Sequence, residues 1–250
     1  MNEKKVAIIT GGGKGIGNGI ATAFIKAGYD VTITGRTLAT LENAKTELEK
    51  LGGRCLIVQA DGAKEEDANR VVAETIKEYG RLDVLINNAQ TSKSGYKLME
   101  HTKEDFDLAI YSGLYATFFL MKAAFPYLKE VKGTVINFGS GAGLHGRSGQ
   151  SSYAAAKEGI RGLSRCAATE WGEFGIRVNV VCPLAMTPGL AAWKEAYPKL
   201  YEQTIQSIPL QHFADPETEI GGVCLFLASD AASYITGQTI ELQGGSALRP

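Results

Sequence analysis

Short apolar runs alternate with longer amphipathic stretches along most of the chain. Most of the runs are continuous and rich in β-branched residues, as in strands that are buried on both faces of a parallel sheet. Seven strands are predicted, at residues 5–10, 30–36, 54–60, 82–87, 133–138, 177–183 and 238–242. The stretches between them predict helices from the first glycine-rich turn to about residue 27 and at about 38–51, 65–79, 103–130 (one long helix or a broken one), 152–173 and 215–227.

The regular alternation of strands and helices predicts an α/β fold: a single-domain, doubly wound parallel seven-stranded sheet with helices on both faces. No linker, repeat or change of composition interrupts the pattern, so residues 1–250 are expected to form one domain. After Pro183 the pattern becomes irregular. The segment at about 184–212 is predicted to be a mobile lid that closes over a substrate.

Charge and composition narrow the range of functions. The net charge is −1 and no basic block is present, which gives no support for nucleic-acid binding. The three histidines lack ligand spacing, so no metal site is expected. The four cysteines, Cys55, Cys166, Cys182 and Cys224, are expected to be buried, free thiols. With no signal peptide or long apolar span, a cytoplasmic protein that does not bind membranes is expected.

The first strand leads into a glycine-rich turn, Thr10-Gly11-Gly12-Gly13-Lys14-Gly15-Ile16-Gly17, and then into a helix. Free backbone N–H groups and the helix dipole make such a junction an anion site. The alternative is an ordinary strand–helix turn, but the number of glycines favours dinucleotide binding. The second strand ends in Gly35-Arg36, which offers a cation instead of an acid. Together with Lys14, Arg36 favours the 2′-phosphate of NADP(H) over the ribose diol of NAD.

The fifth strand and the next helix carry the candidate catalytic groups. Tyr153 and Lys157 are four residues apart and therefore lie on one face of a helix. A free tyrosine has a pKa near 10, and a neighbouring ammonium is expected to lower it toward the range useful for proton transfer. Ser140, at the end of the fifth strand, could hydrogen-bond a substrate oxygen. Taken alone, the Tyr–Lys pair could equally be a surface contact between helix neighbours.

The order and spacing of these features resemble the short-chain dehydrogenase/reductases along essentially the whole chain. The matching features are the glycine turn from Thr10 to Gly17, Asp61, Asn87-Asn88-Ala89, Ser140, Tyr153-x3-Lys157, Pro183 and the glycines Gly237, Gly244 and Gly245. The resemblance implies a Rossmann fold, an NAD(P)H cofactor, and a homotetramer built on the helices around 103–130 and 152–173 and on the last strand. It also implies that Tyr153 exchanges a proton with the substrate oxygen. Lys157 would hold the nicotinamide ribose and lower the pKa of Tyr153, and Ser140 would orient the carbonyl.

Several stretches look more specifically like bacterial NADP-dependent 12α-hydroxysteroid dehydrogenases, which act on bile acids. They are Asn87–Gln90, Phe106–Phe118, Tyr153–Arg165, Val180–Thr187 and the ending Gly244–Pro250. This likeness implies an NADP(H)-dependent enzyme that interconverts a secondary alcohol and a ketone, with a steroid or bile acid as its small-molecule substrate. Two alternatives stay open: a generic carbonyl or 3-oxoacyl thioester reductase, and a non-catalytic NADP-binding scaffold or sensor.

The predicted contacts follow from these motifs. Predicted cofactor contacts are Gly11, Gly13, Lys14, Gly15, Ile16, Gly17, Arg36, Asp61, Gly62, Asn87, Ala89, Tyr153, Lys157, Pro183, Met186 and Thr187. A sterol site needs an apolar wall with a few polar groups. Predicted substrate contacts of that kind are Gln90, His145, Gln150, Leu190, Trp193 and Tyr197.

Three positions depart from the family pattern. Gly113 stands where an asparagine completes a water-linked proton path in the family, Gln90 stands in place of a glycine, and Leu184 replaces the glycine that usually follows Pro183. We expect any relay past Gly113 to use backbone carbonyls, water or a neighbour such as Ser112. A gain in turnover above about tenfold in Gly113→Asn, roughly 1.4 kcal/mol of barrier, would show that the native relay is deficient.

Overall fold

The computed structural model describes residues 4–247, so the last part of the resembling C-terminal stretch, residues 248–250, lies outside the described residues. One parallel sheet with the order β3-β2-β1-β4-β5-β6-β7 organises the chain. Its strands are β1 Val6–Thr10, β2 Asp30–Gly35, β3 Cys55–Gln59, β4 Val84–Asn87, β5 Thr134–Phe138, β6 Arg177–Pro183 and β7 Thr239–Leu242. The predicted seven-stranded, doubly wound sheet is confirmed.

Ten α-helices follow the strands within residues 4–247. They are α1 Gly15–Lys26, α2 Leu38–Glu49, α3 Glu65–Tyr79, α4 Lys103–Ala109, α5 Ala116–Val131, α6 Gly141–His145, α7 Ser151–Trp171, α8 Pro188–Ala196, α9 Pro198–Gln206 and α10 Gly222–Ala228. A π-helical segment, Ile110–Tyr115, joins α4 to α5, so the predicted helix over 103–130 is broken in its middle. A second π-helical segment, Pro216–Gly221, precedes α10.

Two hydrophobic clusters lie on opposite faces of the sheet. Successive side chains of a strand point to opposite faces, and β1 follows this rule: Ala7 and Ile9 belong to one cluster, and Ile8 belongs to the other. Helices α1, α2 and α10 cover the first face, and α3, α5 and α7 cover the second. Both faces are therefore buried, which explains why most of the strands are apolar without alternation.

The strand order reverses between β1 and β4, because the chain builds outward from β1 in one direction and from β4 in the other. In such sheets a crevice opens beyond the carboxyl ends of these two central strands, and ligands bind there. Thr10 and Asn87 end the two strands and so lie at this crevice. The fold thereby brings the glycine turn and the Asn87–Gln90 loop to one place.

Two sequence expectations need correction at this level. Cys55, Cys182 and Cys224 are buried and free as expected, but Cys166 is exposed because it lies on the solvent side of α7. Among the described residues, the helical stretch Lys103–Val131 is long and apolar enough to cross a membrane by length and composition, where no such span was expected. Its buried side chains, including Leu120 and Leu128, belong to the core of the fold.

Candidate active site

A cavity of about 540 Å³ opens at the crevice between β1 and β4. Eleven of the predicted contact residues line it: Gly11, Gly13, Lys14, Gly15, Arg36, Asp61, Gly62, Asn87, Ala89, Gln90 and Thr187. The cavity therefore spans the glycine turn, the ends of β2 and β3, the loop after β4 and the start of the predicted lid. It has the size of a small-molecule site.

Close approach of backbone segments shapes the glycine turn. Gly11 has a φ of 70°, a conformation that glycine adopts without strain. A Cβ at Gly17 would lie 2.4 Å from the carbonyl oxygen of Gly11, so the first turn of α1 can approach the turn only with glycine there. Lys14, the N-cap of α1, makes no side-chain capping hydrogen bond. The first N–H groups of α1 thus remain available for an anion such as a pyrophosphate.

Hydroxyl side chains around the cavity were missed by the sequence prediction. Thr10, the last residue of β1, accepts hydrogen bonds from the backbone N–H groups of Asn88 and Ala89, each at 2.9 Å. Thr91 accepts one from the Nη2 of Arg36 at 3.0 Å, which places the guanidinium beside the loop after β4. A hydroxyl residue that directly ends an apolar strand was the available signal for Thr10. Nothing local to the sequence indicates the contact between Arg36 and Thr91.

The three predicted catalytic side chains meet at the end of β5. Ser140 caps α6, because its hydroxyl accepts a hydrogen bond from the N–H of Ala142 at 3.1 Å, and this short helix replaces the loop that was predicted. Ser140 also lies near enough to Tyr153 to act on the pKa of its hydroxyl. One turn further along α7, the Nζ of Lys157 lies 5.5 Å from the centre of the Tyr153 ring and donates a 2.7 Å hydrogen bond to the carbonyl of Phe138.

The expected lowering of the Tyr153 pKa by Lys157 is wrong. Burial raises the pKa of Tyr153 above its ordinary value, and the hydrogen bond with Ser140 opposes this rise. Burial also lowers the pKa of Lys157 to about 8, because a charged group loses its hydration in the interior. The ammonium is bound to the Phe138 carbonyl and is itself destabilised, so desolvation dominates the environment of the phenol.

A buried hydrogen bond between two asparagines joins the end of β4 to β5, the strand that leads to Ser140. Asn137 precedes Phe138 on β5, and its Oδ1 accepts a 2.8 Å hydrogen bond from the Nδ2 of Asn87. Asn87 is both buried and part of the cavity lining. Because β4 and β5 are neighbours in the sheet, the cavity and the three predicted catalytic side chains lie at adjacent strand ends.

The other predicted contacts lie outside the cavity lining. Of the predicted cofactor contacts, these are Ile16 and Gly17 on α1, Tyr153 and Lys157 on α7, Pro183 at the end of β6, and Met186, whose N–H donates to the carbonyl of Ala214 at 2.9 Å. Their predicted role in cofactor binding stays untested.

Five of the six predicted substrate contacts likewise lie outside it. His145 is exposed and lies 3.2 Å from the Oε2 of Glu241 on β7, and Gln150 directly precedes α7. Leu190, Trp193 and Tyr197 lie on or at the end of α8 in the predicted lid. Tyr197 is 59% exposed, and Trp193 packs on Tyr201 of α9 with ring centres 6.1 Å apart. Of the six, Gln90 alone lines the cavity, because it alone lies in the loop that follows a central strand.

Comparisons with known proteins place this arrangement in a family. The family model described as enoyl-(acyl carrier protein) reductase, a short-chain dehydrogenase/reductase model, matches residues 11–247. A 12α-hydroxysteroid dehydrogenase of Clostridium sp. (strain ATCC 29733 / VPI C48-50) is 54% identical over 99% of this chain and 98% of its own. The 3-oxoacyl-[acyl-carrier-protein] reductase FabG of Thermotoga maritima is 35% identical over 97% of this chain and 98% of its own.

A solved structure shows the same fold with a bound nicotinamide cofactor. The NAD⁺-bound xylitol dehydrogenase superposes with a TM-score of 0.89 at 25% identity, covering 98% of this chain and all of the other. The chain belongs to the short-chain dehydrogenase/reductase family and is a nicotinamide-dependent oxidoreductase.

Proposed function

We propose that this protein is an NADP(H)-dependent 12α-hydroxysteroid dehydrogenase that interconverts the 12-hydroxyl and 12-oxo groups of bile acids. The observation that carries the proposal is the full-length similarity, at 54% identity, to a 12α-hydroxysteroid dehydrogenase. The FabG relative is 35% identical, so a 3-oxoacyl thioester reductase is the weaker candidate. The half-buried Tyr153 and the buried Lys157, on one face of α7, argue for turnover over a scaffold without catalysis.

The preference for NADP(H) is proposed from the charges at the cavity. Arg36 and Lys14 are both exposed and both line it, and no acidic side chain follows β2. A guanidinium binds a phosphate with two parallel, charge-assisted hydrogen bonds. The glycine turn would hold the pyrophosphate on the N–H groups of α1. When bound, the nicotinamide supplies or accepts the hydride.

The remaining chemistry is proton transfer, which the chain's own side chains would perform. In the reducing direction the hydroxyl of Tyr153 donates its proton to the substrate oxygen as negative charge develops there. Ser140 donates a hydrogen bond to the same oxygen and orients the carbonyl. The ammonium of Lys157 stabilises the phenolate that forms. This electrostatic help matters because burial makes the phenolate costly in this site.

Self-association as a homotetramer is part of the proposal. Four aromatic side chains on α4, the π-helical segment and α5, namely Phe106, Tyr111, Tyr115 and Phe118, are each between 37% and 46% exposed. Tyr111 and Tyr115 stack with ring centres 4.8 Å apart. We call these four residues the aromatic stripe. Exposed apolar patches of this kind mark association surfaces.

We also propose a cytoplasmic location, which the four free cysteines support.

The experiment that tests the proposal is a comparison of NADPH oxidation with two substrate classes. We expect the purified enzyme to have a higher kcat/KM for 12-oxo bile acids than for acetoacetyl thioesters, and 3-oxo and 7-oxo bile acids serve as positional controls. A preference for the thioester would instead support the FabG-like function. Equal, negligible rates with every ketone, together with tight NADPH binding, would support the scaffold.

A further inference from the structure

Two departures from the family pattern, Gln90 and Gly113, lie against each other. Gln90 follows β4, and Gly113 lies in the π-helical segment between α4 and α5. A Cβ added at Gly113 would lie 2.7 Å from the Cδ, 2.8 Å from the Nε2 and 2.9 Å from the Oε1 of Gln90. Carbon atoms do not approach this closely, so the Gln90 carboxamide fills the space that a side chain at position 113 would need.

The Gln90 carboxamide is tied to the backbone at one end only. Its Nε2 donates a 3.3 Å hydrogen bond to the carbonyl of Ala109, the last residue of α4 before the π-helical segment begins. Departures from α-helical pairing of this kind are frequent at functional sites. The Oε1 of Gln90 is buried and has no hydrogen-bond donor among the described residues. A buried acceptor without a donor is costly, which indicates that a ligand or its water supplies one.

Ser112 is the neighbour that the sequence suggested for a relay, but its hydroxyl already makes other hydrogen bonds. Its hydroxyl accepts a hydrogen bond from the N–H of Thr91 at 3.1 Å and lies 2.7 Å from the Thr91 carbonyl and 2.6 Å from the Leu108 carbonyl. A hydroxyl has a single proton to donate. Ser112 therefore joins the loop after β4 to α4, and Gln90 retains an acceptor for another group.

The contact between Gln90 and Gly113 joins the cavity to the catalytic helix. Gln90 lines the cavity, and α7, which carries Tyr153 and Lys157, packs against the π-helical segment. The packing is close, because a Cβ at Gly159 of α7 would lie 2.8 Å from the Cδ2 of Leu114. A shift of the π-helical segment would consequently move Gln90 at the cavity wall and change the packing against α7.

We propose that Gln90 is a positioning residue for proton transfer and takes the place of a side chain at position 113. Its Nε2 holds the start of the π-helical segment, and its Oε1 accepts a hydrogen bond from an N–H or O–H group that the loaded site brings. This inference rests on the proposed function for its kinetic part only. The interlocking of the two residues is a property of the free protein.

The first test uses thermal unfolding of the free protein and needs no turnover. In the wild-type background Gly113→Ala should lower Tm, because the new Cβ displaces a buried carboxamide. In the Gln90→Gly background the same change should raise Tm, because alanine is favoured over glycine in a helical segment once the space is open. Each shift should be about 2–4 °C. Shifts of the same sign in both backgrounds would overturn the interlocking, whatever the substrate proves to be.

The second test separates positioning from packing. The variant Gln90→Met keeps the side-chain volume but removes both polar atoms. We expect its kcat to fall about tenfold and the pH midpoint of its kcat to move. Its Kd for NADPH should stay unchanged. The double variant Gln90→Gly/Gly113→Asn carries the carboxamide on residue 113 instead of residue 90. Its kcat and its pH midpoint should be closer to those of the wild type than the values of Gln90→Gly are. Gly113→Asn alone should lose activity, because Gln90 occupies the space. A Gln90→Met enzyme with wild-type kcat and pH profile, or a double variant no better than Gln90→Gly, would refute the positioning role.

Discussion

At the scale of single residues, the site depends on an amine that is held almost completely out of water. Lys157 is 3% exposed, and burial lowers its pKa to about 8. In an unfolded chain the pKa of lysine is near 10.4. The protonated amine is therefore more stable in the unfolded chain than in the fold. Keeping this cation beside Tyr153 lowers the free energy of unfolding.

This burial predicts a pH dependence of stability. Between pH 8 and about 10 the unfolded chain binds more protons at this position than the folded protein does, so the free energy of unfolding should rise with pH by up to about 1.4 kcal/mol per pH unit. Lys157→Met removes this contribution. Denaturant unfolding at pH 7.0, 8.5 and 9.5 should show the difference, wild type minus Lys157→Met, increasing with pH. A constant difference would contradict the burial of a titrating amine.

Arg36 carries the prediction for cofactor choice. Arg36→Ala should raise the Kd for NADPH by at least about tenfold, since hydrogen bonds to charged groups contribute about 1.5–3 kcal/mol, and should change the Kd for NADH little. Fluorescence titration of both cofactors measures this. Arg165→Ala, an exposed arginine on α7 outside the cavity lining, is the matched control. Equal losses for NADPH and NADH would exclude a phosphate contact by Arg36.

The sequence could predict the spacing of Tyr153 and Lys157 on one helix face, because helical periodicity alone determines it. It could not predict the direction of the Tyr153 pKa shift, since burial depends on residues distant in the sequence. The contact between Gln90 and Gly113 could not be predicted for the same reason. Each departure was visible by itself, but only the fold brings positions 90 and 113 into contact.

At the scale of elements, the long helical stretch from α4 to α5 has two different faces. One face contributes Leu120, Met121 and Leu128 to the core. The other carries the aromatic stripe, with Tyr115 in contact with Tyr111 and Phe119 through ring distances of 4.8 and 5.6 Å. The exposed rings are arranged along the helix axis, as expected for a surface that packs on another helix.

The aromatic stripe gives a prediction about assembly. Tyr115→Lys/Phe118→Lys places two charges on this surface and should convert the proposed tetramer to a smaller species in sedimentation experiments. Leu51→Lys changes a side chain of similar exposure, 43%, just after α2 and is the control. If the double variant sedimented like the wild type, association through this surface would be ruled out.

The strands and most helices were predictable because each has a clear period and a glycine or polar boundary. Several elements were not predicted, and two of them show the reason. Helix α6, Gly141–His145, is too short to show a period and depends on the cap supplied by Ser140. The π-helical segment Ile110–Tyr115 depends on contacts with Gln90 and α7, which belong to tertiary structure.

At the scale of the whole molecule, one crevice at the centre of the sheet collects most of the predicted cofactor contacts. The strand order places Thr10 and Asn87 side by side, and the buried contact from Asn87 to Asn137 continues to the end of β5. The substrate side was harder to predict. His145, for example, pairs with Glu241, 96 residues away, and the candidate residues of α8 lie in a segment whose position depends on packing with α9.

The central claim is that Tyr153 donates the proton to a ketone at this crevice, and Tyr153→Phe tests it most directly. With saturating NADPH and a 12-oxo bile acid, we predict that kcat falls about 10²–10⁴-fold, the range for loss of a general acid, while the Kd for NADPH stays close to that of the wild type. A Tyr153→Phe enzyme that turns over at the wild-type rate would contradict the account.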